Sequence, residues 1–135
     1  MSEEAPSDTP FVLFVDDDEM ILQGLARCLF DAPFEAGFVS SGREALLLLE
    51  RRPIDVVVSD EGMPDMPGHD LLDTFSRRSP RTARMMLSGS LEAVTGGAAV
   101  RYTRLHKPCD ARTLRRAVCD ALASRLVDAG ARTSP

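Results

Sequence analysis

The chain has 135 residues, 44% hydrophobic and 27% charged, with a formal net charge of −5. That balance fits one globular domain with one core, and it excludes a domain that grips nucleic acid through a basic face or adheres to an anionic membrane. Cys28, Cys109 and Cys119 form no CxxC pair and no metal spacing, suit a reducing cytosol and read as buried or half-buried thiols.

In chain order, residues 1–10 are polar and carry two prolines, so they read as an N-terminal tail without the apolar core of a signal peptide. Phe11-Val-Leu-Phe-Val15 is wholly apolar and ends abruptly in acids, as a buried parallel strand does. Ile21, Leu22, Leu25, Cys28 and Leu29 recur at helical spacing. Phe34 to Ser40 is a weaker strand, Gly42 to Arg51 a helix, and Ile54 to Val58 a second strong strand. A Gly/Pro/Met loop leads to a short helix from His69 to Arg77, then a strand from Ala83 to Leu87. Leu91 to Val100 should form a fourth helix, although Gly96 and Gly97 each weaken it by about 1 kcal/mol relative to alanine. Arg101 to His106 is the last strand, and Asp110 caps a helix running through Leu126. Residues 11–127 thus form the domain and 128–135 a C-terminal tail. No apolar run approaches the ~20 residues of a membrane span. Five βα units with short connections predict an α/β, doubly wound (βα)5 fold, a parallel sheet with helices on both faces.

In such a sheet, ligands bind beyond the carboxyl ends of the strands. Asp16, Asp17 and Asp18 follow the first strand, Asp60 the third, Ser88 and Gly89 the fourth, and Lys107-Pro108 the fifth. Singly, an Asp-Asp pair is as readily a helix cap, Ser-Gly a turn and Lys-Pro a loop. Jointly, they place acids, a hydroxyl and an amine on one edge. Clustered carboxylates repel unless a cation sits among them, and all-oxygen ligands favour a hard ion such as Mg²⁺. A carboxylate beside that ion can attack phosphorus and become an acyl phosphate, with the lysine and metal drawing off charge.

Val12-Leu-Phe-Val-Asp16-Asp17-Asp18-Glu19, Asp55-Val-Val-Val-Ser-Asp60-Glu-Gly-Met-Pro-Asp-Met-Pro-Gly68, Met86-Leu-Ser88-Gly89 and His106-Lys107-Pro108 resemble, in that order, the response regulator receiver domains of two-component signalling. The resemblance covers about Phe11 to Leu126. It implies a CheY-like, flavodoxin-like fold with strand order 2-1-3-4-5. It also implies Asp60 as phosphoacceptor and Mg²⁺ held by Asp16, Asp17, Asp60 and the Gly62 carbonyl. Ser88 would be the switch hydroxyl, Lys107 the phosphoryl-contacting lysine, and the bond to Pro108 cis. Asp18 is left as a helix cap. The implied protein is a cytoplasmic switch rather than an enzyme. Its implied partners are a sensor histidine kinase or a histidine phosphotransfer protein, and a downstream effector. Homodimerisation stays open.

Three departures from the family pattern matter. Arg104 stands where the family usually has an aromatic residue, with Tyr102 two residues earlier as a substitute; both are switch candidates. The interval from Ser88 to Lys107 is short, which together with Gly96-Gly97 predicts a frayed fourth helix and signalling by order–disorder change. Gly62 and Ser90 are small, which predicts water access and a short-lived phosphorylated state. Two other readings stand beside this one: a receiver-like binding module that is never phosphorylated, and a haloacid-type phosphatase with Asp16 as nucleophile. His69 and His106 read as ordinary surface histidines, and Met63, Met66, Met85 and Met86 as packing residues.

Overall fold

Wholly apolar strands can be buried only if helices cover both sides of the sheet they form, and this requirement organises the molecule. The structure, a computed structural model, describes the backbone of residues 9–88, 102–107 and 109–133, and side chains at 9–87, 102–107 and 109–124. In chain order the elements are β1 (Phe11–Val15), α1 (Glu19–Leu29), β2 (Glu35–Val39), α2 (Gly42–Leu49), β3 (Val56–Asp60), α3 (Gly68–Arg78), β4 (Ala83–Ser88), β5 (Thr103–His106) and α4 (Ala111–Thr133). The five strands are parallel in the order β2-β1-β3-β4-β5, the doubly wound arrangement expected.

Alternation along the strands divides the core in two. Val12, Phe14, Val56, Val58 and Met85 point to the side of α1 and α4, where Leu22, Leu29, Leu114 and Val118 meet them. Phe11, Leu13, Val15, Val57 and Met86 point to the other side, under Ala45 of α2 and Leu71, Leu72 and Phe75 of α3. Met63, Met85 and Met86 are buried, so the methionines pack as expected. Cys28 is exposed rather than buried, while Cys109 and Cys119 are half-buried.

Several boundaries differ from expectation. β3 begins at Val56 rather than Ile54 and runs through Asp60. Asp55 sits below the β1 ladder, where its carboxylate accepts the Phe11 N–H at 2.7 Å. Asp60 is therefore the last residue of the strand, in register with Leu87 of β4, and not the first residue of a loop. β5 starts at Thr103, leaving Tyr102 just before it. α4 continues to Thr133, into the stretch expected as a C-terminal tail. Its alanines favour helix and the single Gly130 costs only about 1 kcal/mol. At the other end, Pro10 is tied in by its carbonyl, which accepts the Glu35 N–H at 2.8 Å. The expected fourth helix, Leu91 to Val100, lies outside the described residues, as do Ser90, Pro108 and residues 1–8.

Candidate functional site

Asp16 leaves the end of β1 and stays buried, its N–H donating to the Val39 carbonyl of β2 at 3.2 Å. Its Oδ1 accepts the Asp18 N–H at 2.9 Å. Its Oδ2 is buried with no hydrogen-bond partner among the described residues. Asp18 turns outward and caps α1, accepting the N–H groups of Met20 and Ile21 at 2.9 and 3.4 Å, as expected. Asp17 is exposed between them.

Asp60 at the end of β3 faces the same space. Lys107, directly after β5, donates its Nζ to Asp60 Oδ1 at 2.6 Å and lies 4.0 Å from Asp16 Oδ2. One carboxylate oxygen each from Asp16, Asp17 and Asp60 lie within 4.8 Å of one another. Burial pushes the Asp16 carboxyl above its ordinary value. The Asp18 N–H opposes that shift, Asp60 adds to it, Lys107 opposes it, and Asp17 adds to it. Three carboxylates share one ammonium, and one buried oxygen has no donor. A hard divalent cation with oxygen ligands, Mg²⁺ above all, fits this set on its chemistry.

Other expected site residues sit nearby. Gly62 lies in the exposed loop two residues past Asp60. Ser88 is the last residue of β4, paired with His106, but its side chain lies outside the described residues. Tyr102 packs half-buried against the α2/α3 side of the core. Its hydroxyl is buried without a hydrogen-bond partner among the described residues. Burial raises the Tyr102 pKa, Arg104 lowers it and Glu61 raises it. Arg104 is exposed on β5, opposite Met86 in register. Neither belongs to the carboxylate cluster.

The loop from Glu61 to Pro67 supports the site in ways the residue pattern alone left unassigned. The Gly68 N–H donates to the Glu61 carbonyl at 2.8 Å, closing the loop on itself. A Cβ on Gly68 would stand 2.3 Å from the Asp60 carbonyl oxygen, so only glycine lets α3 approach the Asp60 backbone this closely. Glu61 accepts from the His69 N–H at 3.2 Å and meets His69 Nδ1 at 2.9 Å, giving His69 a structural role. Asp65 accepts from the N–H groups of Arg43 and Gly42 at 2.9 and 3.3 Å, tying the loop to the start of α2. Burial works against the Asp65 charge, but those two N–H donors hold its carboxyl below the usual range. The recognisable cue was Asp65 itself, an acid in a Pro/Met loop.

Residues 12–119 match the family model described as the response regulator receiver domain. Among curated proteins, the response regulator protein FleR of Pseudomonas aeruginosa is 34% identical over 109 residues, covering 76% of this chain and 22% of its own length. The hydrogenase transcriptional regulatory protein HoxA of Cupriavidus necator is 36% identical over 83 residues, covering 62% of this chain and 17% of its own length. The chain thus spans about a quarter or less of these curated relatives. Among solved structures, the signal receiver domain of an HD domain-containing protein from Pseudomonas fluorescens superposes with a TM-score of 0.81 at 30% identity, covering 96% of this chain and 98% of that one. A CheY-like receiver domain protein from Methanospirillum hungatei gives 0.82 at 26% identity, covering 90% and 99%.

Proposed function

The chain belongs to the response regulator receiver domain family, and from that premise we propose that Asp60 accepts a phosphoryl group from the phosphohistidine of a sensor kinase or phosphotransfer protein. An Asp60 carboxylate oxygen bonds to phosphorus as the bond from phosphorus to the donor nitrogen breaks, and the electron pair leaves with that nitrogen. Asp16, Asp17, Asp60 and the Gly62 carbonyl would hold Mg²⁺, which neutralises the carboxylates and the phosphoryl oxygens when bound. Lys107, now paired with Asp60, turns its ammonium to an equatorial phosphoryl oxygen. The Ser88 hydroxyl donates to another.

The observation that carries this reading is the 2.6 Å Lys107–Asp60 pair beside the Asp16/Asp17 carboxylates. The product adds about −1.5 to −2 charge, which shifts an existing conformational equilibrium and changes the affinity for a downstream effector in the cytoplasm. The open space beside Gly62 would admit water, so the acyl phosphate is short-lived. The test is labelling by a small phosphodonor with Mg²⁺: Asp60→Asn abolishes it. The haloacid-type phosphatase alternative would put the label on Asp16. That residue is disfavoured as nucleophile because it is buried and already accepts the Asp18 N–H. Failure to bind beryllofluoride with Mg²⁺ would instead favour an unphosphorylated binding module.

A further inference from the structure

At the opposite end of the sheet from Asp60, α2 and α3 finish side by side. Between them lies a cleft of about 520 Å³ lined by Leu49, Glu50, Arg51, Arg52, Pro53, Arg78 and Ser79. Three guanidinium groups against the single carboxylate of Glu50 give the cleft an excess of positive charge, in contrast with a net charge of −5 for the whole chain. The helix dipole offsets only part of the charge of Arg77 and Arg78 in the last turn of α3. Arg77 is further matched by Asp73, one turn earlier.

The remaining charges are poorly matched. Arg78 reaches Glu50 only at 3.7 Å, on an exposed surface where such a pair contributes little. Arg51 is exposed and has no ion pair among the described residues. Arg52 is held in place by two contacts: its guanidinium carbon sits 3.6 Å above the Phe11 ring, and its Nη1 lies 3.4 Å from Glu35. Its Nε is nevertheless a buried donor without an acceptor among the described residues. Arg52 is thus a fixed wall, and Arg51 and Arg78 are under-neutralised arms on either side. The apolar faces of Leu49 and Pro53 complete the cleft.

We propose that this cleft docks an acidic peptide segment of a partner protein, carrying at least two carboxylates, independently of the phosphoryl chemistry at Asp60. Charge selects both the ligand and the place. An acidic segment is repelled by the chain's net negative charge and attracted to this edge, and planar guanidinium groups match carboxylates in a bidentate geometry. The open cleft suits an extended segment, with its apolar walls meeting the carbon stems of the acidic side chains.

The experiment uses the full chain and fluorescein-labelled hexaglutamate, read by anisotropy at low ionic strength with circular dichroism as a fold control. Arg51→Gln/Arg78→Gln should weaken binding by about tenfold or more, and added salt should weaken it for the unaltered chain. Arg112→Gln, in a separate cleft between α1 and α4, should leave it within about twofold. Asp60→Asn should also leave it unchanged, which separates this inference from the phosphoacceptor reading. Equal affinity of the unaltered chain and the Arg51/Arg78 variant overturns the proposal. So does a marked gain on deleting residues 2–8, which would make the chain's own acidic start the occupant.

Discussion

Two glycines, Gly62 in the loop after Asp60 and Gly68 at the start of α3, make opposite predictions. Gly68→Ala places a methyl group 2.3 Å from the Asp60 carbonyl oxygen and 2.9 Å from the Glu61 Cα, both backbone atoms that no side-chain rotation can move aside. Relief requires α3 to back away from β3, which breaks the 2.8 Å bond from the Gly68 N–H to the Glu61 carbonyl. Overpacking costs about 1–3 kcal/mol and the lost hydrogen bond about 1 more, so the loss is about 2–4 kcal/mol. Melting should fall by about 4 °C per kcal/mol for a domain of this size. The shift also displaces the peptide that carries Asp60, so phosphorylation by a small donor should slow as well. Gly62→Ala is the matched control: a Cβ there meets nothing within 4 Å, so stability should be unchanged. Urea denaturation and labelling rates of the three proteins decide the matter. A Gly68→Ala protein as stable as Gly62→Ala and labelled at the normal rate would refute the claim that this contact sets the position of Asp60.

Further outcomes follow from the same geometry. Asp16→Asn removes a buried charge with an unpartnered oxygen, so the metal-free protein should gain about 1–3 kcal/mol at neutral pH while losing its stabilisation by Mg²⁺, measured by urea titration with and without chelator. Because burial raises the Asp16 pKa, the folded state binds its proton more tightly than the unfolded chain does. Asp16 therefore makes metal-free stability fall as pH rises from its ordinary value of 3.8 through its raised folded one, and Asp16→Asn should remove that slope. Asp65→Ala should cost about 1 kcal/mol by removing the acceptor of the Gly42 and Arg43 N–H groups, while Ser41 still caps α2. The Asp65 shift has the opposite sign: its contribution is present above 3.8 and fades as pH falls through its lowered folded value, which denaturation at acid pH can follow. Gly62→Arg fits the open space at that position, so it should fold normally and change the lifetime of the acyl phosphate in a dephosphorylation assay; an unaltered lifetime would remove the water-access argument.

The fold was legible because five strand signals and the helical spacings between them agree, and the buried strands Phe11–Val15 and Val56–Asp60 are too apolar for any other placement. The convergence of Asp16, Asp17, Asp60 and Lys107 was legible for a topological reason: strand ends of a parallel sheet share one edge. Local register was harder. Asp55 belongs to the edge below β3 because its carboxylate binds the Phe11 N–H, a contact 44 residues away in sequence that no local pattern reveals. The length of α4 was not legible because residues 129–135 have no apolar period, whereas alanines extend a helix without one and a single glycine costs too little to stop it. The loop's supports at Asp65, Gly68 and His69 depend on three-dimensional proximity to α2 and β3, and so does the arginine cleft between α2 and α3.

The most direct test of the central claim is to treat the chain with a small phosphodonor and locate the label by mass spectrometry of its peptides. The expected result is one phosphoryl group on Asp60, dependent on Mg²⁺ and absent in Asp60→Asn. A label on Asp16, or undiminished labelling of Asp60→Asn, would contradict it.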